Sequence, residues 1–288
     1  MDIIKITPHT KETFYYRVMI GISILLCIPA IIFIPYVLIL GVFILFSTGM
    51  FIGYIKGNGV KVSNQQFPEL NKIIAKQSKL LGVKNVPKTY ILESGGILNA
   101  METKFVGSNY LILYSDLYEV MLDGRQDVVE FIIAHELCHV KRNHVVKVMY
   151  VFPSLVVPFL YQAYSRACEY TCDQVGYSIS PKGAVDGIKM LAAGKRLYKN
   201  VKTKVFADQL KNEEPSFWVW LSEKLSTHPH LSKRITKEML KTTTTKKQYS
   251  LNRSSDMSNT ISEKEKEEEE KEEIPNSESK DYSKYMPK

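Results

Sequence analysis

The sequence contains few cysteines, which excludes a protein held together by disulfides. Its 288 residues include only four, Cys27, Cys138, Cys168 and Cys172. A disulfide-stabilised secreted domain would carry more of them at regular spacings. The scarcity of cysteine therefore favours a reducing compartment for most of the chain.

Charge is missing entirely from Val18 to Ile55. One helical crossing of a bilayer needs about 20 apolar residues, so this run is long enough for two crossings. Pro29 and Pro35 interrupt it near its middle, and the sequence predicts a hairpin of two helices, Val18–Ile34 and Tyr36–Ile55. A cleaved signal peptide is excluded, because its apolar segment has only about 7–15 residues.

Basic residues flank both ends of the uncharged run and predict its orientation. The positive-inside rule places such flanks in the cytoplasm. Residues 1–17 are then a cytoplasmic segment, residues 18–55 a transmembrane hairpin, and the chain from residue 56 onward faces the cytoplasm, in an integral protein of the cell membrane. The flanking residues are Lys5, Lys11, Arg17, Lys56 and Lys61.

The formal net charge of +8 does not indicate a nucleic-acid partner. The basic residues are scattered, and no nucleic-acid-binding motif occurs. Basic residues beside the cytoplasmic face of a membrane instead suit anionic lipid headgroups. The expected partner at this level is therefore the lipid bilayer.

Residues 56–240 predict one α+β domain, mainly helical with a small sheet. Helical spacing runs from Lys61 to about Val86 with Gly82 as a C-cap, and again from Asp127 to Val146. The apolar segment Val148–Tyr164 is interrupted by prolines, and both membrane entry and packing on the core stay open for it. Strands are expected at Thr89–Leu92, Ile97–Phe105 and Tyr110–Leu113, and further helices at Ala184–Tyr198, Pro215–Leu225 and His230–Leu240.

Residues 241–288 hold almost nothing that could be buried. Four consecutive threonines are followed by a Ser/Asn stretch and by Glu263–Glu273, which contains only glutamate and lysine. Such a composition predicts a disordered charged tail or a single solvated helix, with a solubilising role.

The most specific feature of the chain is a His-Glu-x-x-His motif formed by His135, Glu136 and His139. Residues four apart lie on one face of a helix, so both imidazoles can bind one ion. Glu136 lies beside that ion and can take a proton from a water that the metal activates. The apolar run before the motif predicts a buried helix, where unpaired polar side chains would be costly. The motif therefore predicts one zinc ion per chain, with Glu136 as the catalytic base.

A catalytic zinc has three protein ligands and one open position, so a third ligand is expected. One class of metallopeptidase supplies a histidine after an intervening glycine, but Arg142 and Val145 occupy those positions here. Another class supplies a glutamate from a later helix. Glu169 and Asp173 lie four apart in such a segment, so Glu169 is the predicted third ligand. Asp173 is expected to accept the outer N–H of a ligand imidazole, most readily that of His135.

Four further side chains near these positions could bind a metal. His144 is off the metal-facing side of its helix and is expected at the surface or at a helix cap. Thiolates also bind zinc, so a redox-sensitive or structural site stays open for Cys138, Cys168 and Cys172. Because the His/His/Glu set is already complete, we expect these thiols to be small buried side chains packed around the site.

Together the motifs resemble the HtpX-like membrane metallopeptidases, which are relatives of the CaaX prenyl proteases. The resemblance covers residues from about 65 to 240. It is carried by His-Glu-x-x-His at 135–139, Glu-x-x-x-Asp at 169–173, Thr-His-Pro at 227–229 followed by Arg234, and Asn99-Ala100.

The resemblance implies a zincin-like metallopeptidase domain that faces the cytoplasm and cleaves membrane or misfolded proteins. It implies that His228 contacts the oxyanion or the substrate and that Arg234 supports this region, although local sequence alone favours a loop histidine at 228. It also implies that Asn99 helps to hold the peptide as an added strand. The ligand set it implies is His135, His139 and Glu169, with Glu136 as base and Asp173 as orienting residue.

Three departures from the family pattern limit the resemblance. HtpX-like proteins place two further membrane helices between the two metal motifs, whereas only Val148–Tyr164 stands in that gap. The prenyl proteases have more membrane spans than this chain can supply, which disfavours prenylated peptides as substrates. The acidic tail has no counterpart in the family pattern.

The sequence thus predicts a membrane-anchored zinc endopeptidase with protein or peptide substrates, acting in membrane or misfolded-protein quality control, and compatible with a homo-oligomer. The alternative is a non-catalytic zinc-binding membrane scaffold or regulator. Glu136 disfavours it, because a structural zinc site needs no base and closes all four positions with protein ligands. A membrane adaptor that acts through the charged tail would leave the metal motifs as coincidence.

Overall fold

The computed structural model describes residues 3–30, 34–93, 95, 99–214 and 216–240. The predicted tail, residues 241–288, therefore lies outside the described residues. The helices are α1 (Thr10–Ala30), α2 (Ile34–Asn58), α3 (Pro68–Leu80), α4 (Ser115–Leu122), α5 (Gln126–Arg142), α6 (His144–Tyr150), α7 (Leu160–Ile179), α8 (Pro181–Leu197), α9 (Thr203–Asn212), α10 (Phe217–Leu225) and α11 (Leu231–Arg234). The strands are β1 (Val60–Lys61), β2 (Lys88–Leu92), β3 (Ala100–Phe105) and β4 (Ser108–Tyr114), and 3-10 turns lie at Phe152–Val156 and Tyr198–Asn200.

The two N-terminal helices differ in what surrounds them. Among the described residues, α2 is the one helix that is long and apolar enough to cross a membrane, with a mean hydropathy of 2.2 over its most apolar part. Helix α1 begins at Thr10, so the predicted helix start at Val18 is wrong. The earlier start follows from packing, because α1 lies against α7 and buries Met19 beside Tyr164 and Cys168.

The sheet has four strands in the order β1-β2-β4-β3. Strand β2 pairs with β4 in parallel, whereas β1 with β2 and β3 with β4 pair antiparallel. The three predicted strands correspond to β2, β3 and β4, although residues 97 and 98 of the predicted Ile97–Phe105 segment lie outside the described residues. Strand β3 is an edge strand of this sheet, and it lies against α5.

Helix α5 occupies the centre of the domain and packs on α7 and α8. Its apolar residues, among them Val128, Phe131 and Leu137, are fully buried, as the sequence predicts. Gly183 of α8 allows this helix to approach the backbone of α5 closely, since a Cβ at this position would lie 1.8 Å from the carbonyl oxygen of Asp127. The absence of side chains at such glycines lets α8 lie directly against the start of α5.

The predicted helix Asp127–Val146 is in fact two helices. Asn143 adopts a left-handed conformation (φ 52°, ψ 44°) that ends α5 and begins α6. Asparagine tolerates this conformation better than most residues, and it is a common helix terminator. The turn directs His144 back toward α5.

Several other boundaries differ from the prediction. Segment Val148–Tyr164, for which no element was predicted, contains the end of α6, the 3-10 turn at Phe152–Val156 and the start of α7. The helix predicted at His230–Leu240 is interrupted after Arg234, the end of α11. Helices α4 and α9 are short elements that the sequence did not predict.

Candidate metal centre

Helices α5 and α7 bring three potential metal ligands together. The Nε2 atoms of His135 and His139 are 3.2 Å apart. The Nε2 of His135 lies 3.4 Å from Glu169 Oε2, and that of His139 lies 3.3 Å from Glu169 Oε1. These three side chains are the ones predicted from the spacing of the two motifs, and each offers one ligand atom within 4.8 Å of the others.

The distances between these atoms fit a zinc ion. Zinc binds imidazole nitrogen at about 2.0–2.1 Å and carboxylate oxygen at about 2.0–2.2 Å, so ligand atoms at tetrahedral positions lie about 3.3–3.5 Å apart. Glu169 Oε2 is buried and receives no hydrogen bond from the described residues. A divalent cation would satisfy this oxygen and the two nitrogens together.

Asp173 fixes the orientation of the first histidine. Its Oδ1 lies 3.0 Å from Nδ1 of His135, the imidazole that it was expected to orient. Arg234 donates two hydrogen bonds to the same carboxylate, from Nε at 2.7 Å and from Nη2 at 2.6 Å, and its Nη1 lies 3.6 Å from Glu169 Oε2. Because a carboxylate on the Nδ1 side favours a proton there, Nε2 of His135 keeps its lone pair toward the other ligands.

His144 and Glu12 play the corresponding part for the second histidine. Nδ1 of His144 lies 3.0 Å from Nδ1 of His139, and Nε2 of His144 lies 3.3 Å from Glu12 Oε1. The expectation that His144 is a surface or capping residue is therefore wrong, since it is buried. The expectation is wrong because Asn143 breaks the helix and directs His144 toward α5, and helical spacing in the sequence cannot reveal such a break.

Electrostatics at the centre favour a bound cation. Burial would lower the pKa of His135, but the carboxylates of Glu169 and Asp173 outweigh it and raise this pKa to about 10. Burial would raise the pKa of Glu169, yet the two histidines hold it well below its usual range. Without a metal the site therefore takes up a proton to balance its buried carboxylates, and zinc would compete with that proton.

Glu136 opens onto a cavity of about 610 Å³ together with the ligand side chains. Its side chain is half-buried, in contrast to the fully buried neighbours on α5. The cavity is also lined by Asn99 and His228, so the structure brings all of the predicted site residues to one cleft or to the layer directly behind it.

His228 lies on the rim of the cleft. Its Nε2 is 3.5 Å from Glu169 Oε1, and 63% of its side chain is exposed. Arg166 holds the loop that carries it, because its Nη1 donates to the backbone oxygens of Glu223 and Ser226, both at 2.7 Å. Sequence reasoning gave Arg166 no role, and it could not have done so, because these contacts join residues about sixty positions apart.

Asn99 precedes the edge strand β3 and is exposed. Its carbonyl oxygen accepts a hydrogen bond from the backbone N–H of Tyr114, which ties it to β4. Glu102 of β3 also lines the cavity, and burial raises its pKa to about 7. Glu102 was not singled out from the sequence, because a single glutamate in a strand belongs to no recognisable spacing pattern.

The four cysteines are free. Cys138, Cys168 and Cys172 are buried beside the metal ligands, as expected for small packing residues. Cys172 and Cys168 come close to His144 in two further groups of potential ligand atoms, but neither group includes Glu169 or Asp173. The His/His/Glu set is the group that faces the open cavity.

Two comparisons concern whole known proteins. A search of curated proteins found no match. Among solved structures, the chain is similar to a crystal structure of Ste24p from S. mikatae, with 16% sequence identity and a TM-score of 0.47 over 77% of this chain. The chain spans 63% of that protein's length.

The family assignment comes from the sequence of the domain. Residues 64–157 and 150–240 match peptidase family M48, and together they include every residue of the candidate metal centre except Glu12. The match confirms the resemblance to HtpX-like metallopeptidases and CaaX protease relatives. The chain therefore belongs to peptidase family M48, a family of zinc metalloendopeptidases.

Proposed function

We propose that the protein is a membrane-anchored endopeptidase that binds one zinc ion through His135, His139 and Glu169 and uses Glu136 as its base. The observation that carries this proposal is the close approach of the ligand atoms: the two Nε2 atoms are 3.2 Å apart, and each lies 3.3–3.4 Å from one carboxylate oxygen of Glu169. They lie beside a carboxylate in an open cavity. An open side is what a catalytic zinc site needs and a structural one lacks.

The chemistry divides between the ion and the side chains. Bound zinc would supply Lewis acidity to the attacking water and to the substrate carbonyl. Glu136 accepts the proton of that water on a carboxylate oxygen and passes it to the leaving amine. His228, on the opposite rim, is placed to donate a hydrogen bond to the developing oxyanion. Asp173 and Arg234 keep His135 and Glu169 oriented throughout, without contact with the substrate.

The substrate is a protein segment in extended conformation. Strand β3 has one edge paired with β4 and its other edge unpaired in the described sheet, beside the cleft. A peptide that adds to this edge uses backbone hydrogen bonds, which accept many sequences. Asn99 lies at the start of that edge and would contact the bound peptide. This mode suits the predicted role in cleaving misfolded or membrane proteins, and association into a homo-oligomer stays a prediction.

Membrane attachment is proposed through both N-terminal helices, with the domain in the cytoplasm. Large apolar side chains of α2 are exposed along its length, and α1 exposes Ile24 and Leu25 near its end. Ser23 of α1 donates a hydrogen bond to the carbonyl oxygen of Val151 at 3.1 Å, which ties the segment between α6 and α7 to this region. The end of α6 and the segment after it expose further apolar side chains and would rest on the bilayer surface. These side chains are Met149, Tyr150, Val156 and Phe159.

The test is the replacement of Glu136 by Gln in the protein purified in detergent. We expect Glu136→Gln to retain about one zinc per chain, since Glu136 is not a ligand, and to lose cleavage of an unfolded membrane-protein substrate by at least about 100-fold. Metal content by mass spectrometry and gel-based degradation measure the two quantities. Glu130→Gln is the same change on α5, at a residue whose side chain accepts a hydrogen bond from Gln126; it is the matched control and should cleave normally.

Three outcomes would contradict the proposal in different ways. Absence of zinc from the wild-type protein would refute the metal centre. Bound zinc without cleavage of any substrate would favour the non-catalytic scaffold. Full activity of Glu136→Gln would leave the metal centre intact but require another base.

A further inference from the structure

The first anchor helix contributes a buried acid to the interior of the domain. Glu12 of α1 is only 1% exposed, although it lies among residues that the sequence assigned to a cytoplasmic segment outside the catalytic domain. Its Oε2 accepts a hydrogen bond from Thr171 Oγ1 of α7 at 2.6 Å. Its Oε1 lies 2.6 Å from Arg142 Nη2 and 3.3 Å from His144 Nε2. A carboxylate is buried in this way only when its charge and hydrogen bonds are satisfied, as they are here.

The contacts continue from Glu12 to the candidate metal ligand. A carboxylate can only accept, so the proton of His144 lies on Nε2, and its Nδ1 is left as an acceptor. Nδ1 of His144 is 3.0 Å from Nδ1 of His139, which must then carry a proton. Nε2 of His139 consequently keeps its lone pair and points at His135 and Glu169. Glu12, His144 and His139 thus form a relay of three side chains from three helices.

We propose that Glu12 and His144 are positioning residues that fix the tautomer and ring orientation of His139, so that helix α1 forms part of the zinc site. The inference rests on the assignment of His139 as a ligand under the proposed function. It extends that function, because it makes the membrane anchor a component of metal binding and not only an attachment. Asp173 orients His135 in the same way from within the domain. Each ligand imidazole therefore has its own carboxylate: Asp173 lies directly beside His135, whereas Glu12 acts on His139 through His144.

Zinc affinity tests the relay without reference to catalysis. His144→Phe keeps a ring of similar size but removes both nitrogen atoms, and it leaves the Glu12–Arg142 ion pair in place. Loss of such an outer partner costs about 10–100-fold in metal affinity. We expect that range for His144→Phe and a smaller loss for Glu12→Gln, measured by competition with a chromophoric chelator on the full-length protein in detergent.

A double mutant separates the relay from a merely structural role. If Glu12 acts on zinc through His144, then Glu12→Gln adds nothing to the loss of affinity once His144 is Phe. Additive losses would overturn the relay. If His144→Phe does not fold, Glu12→Gln alone decides, since unchanged zinc affinity in that variant refutes the proposal.

Met19→Ala is the matched control on the same helix. Met19 is fully buried against Val151 and Tyr164, about two turns from Glu12, so its truncation loosens α1 without touching the relay. It should lower the melting temperature and leave zinc affinity unchanged. Equal weakening of zinc binding in Met19→Ala would mean that any loosening of α1 is enough. A wild-type protein without zinc would refute the proposed function itself, whereas normal zinc binding in the Glu12 and His144 variants refutes only this inference.

Discussion

Two buried carboxylates at the metal centre share one guanidinium. Arg234 donates two hydrogen bonds to Asp173 and lies 3.6 Å from Glu169, and the three side chains are almost completely buried. Burial opposes the charge on Asp173, but Arg234 and His135 lower its pKa below the usual range. An arginine suits this place because its planar fork binds a carboxylate through two parallel hydrogen bonds.

Replacement of Arg234 by Leu should therefore destabilise the protein strongly. Removing one partner of a buried ion pair costs about 3–5 kcal/mol, because the other charge stays buried without compensation. Denaturant unfolding of the metal-free protein would measure this loss. Lys233→Ala is the control, since Lys233 forms an exposed ion pair with Glu223 that should contribute less than about 1 kcal/mol. Similar losses in the two variants would show that Arg234 does not compensate the buried acids.

At the scale of single residues, the sequence predicted the roles that depend on local spacing. His135, Glu136 and His139 lie within one turn of helix, and Glu169 and Asp173 within another. Glu12 and His144, which lie behind His139, could not be predicted as its partners, because no local spacing connects Glu12 of α1 with the motif on α5. Arg234 was expected to support the substrate region, and in the structure its hydrogen bonds go to Asp173 instead.

At the scale of elements, α5 carries most of the chemistry because its position is fixed on every side. It packs on α7 and α8 behind, and β3 lies at the front beside the cleft. The helical character of α5 was predicted, since its apolar periodicity is long and regular. The three strands were predicted from short runs of β-branched and aromatic residues. The break at Asn143 was not predicted, because the polar residues around it are equally compatible with a continuous helix. The strand order and the short helices α4 and α9 were not predicted either.

The contact between α5 and α8 leads to a prediction for Gly183. A Cβ at this position would lie 1.8 Å from the backbone oxygen of Asp127, which no side-chain movement can relieve. Gly183→Ala should therefore destabilise the domain by about 3 kcal/mol or more, because the two helices must separate. Thermal unfolding followed by circular dichroism would measure it. Gly57→Ala provides the comparison, since nothing lies within 4 Å of a Cβ there, and little change is expected. An unaffected Gly183→Ala protein would show that the helices do not pack as described.

At the scale of the whole molecule, the proposed membrane anchor and the domain are not separate parts. Helix α1 contributes to the core beside α7 through Met19 and to the metal centre through Glu12. The sequence divides them at residue 56, because charge and hydropathy report on solvent but not on tertiary contacts. The boundary predicted from composition thus separates membrane from aqueous surroundings, but side-chain contacts join the residues on its two sides.

The proposed orientation can be tested by labelling. Lys211 of α9 is exposed, so Lys211→Cys should react with a membrane-impermeant maleimide only after cells are permeabilised, if the domain faces the cytoplasm. The wild-type protein is the control: Cys138, Cys168 and Cys172 are buried and should react little, and any labelling of the exposed Cys27 is measured in it and subtracted. Labelling of Lys211→Cys in intact cells would place the domain on the outer side of the membrane and contradict the positive-inside assignment.

The position of Arg234 also sets the order in which the enzyme becomes complete during its synthesis. Ribosomes make the chain from its N-terminus, so Glu12 is available first, the two histidines later, and Arg234 after every other residue of the centre. Until α11 has emerged, Asp173 and Glu169 lack the guanidinium that lies beside both of them. A nascent chain on the ribosome therefore holds an unfinished protease, and its metal centre becomes complete only when α11 has been made.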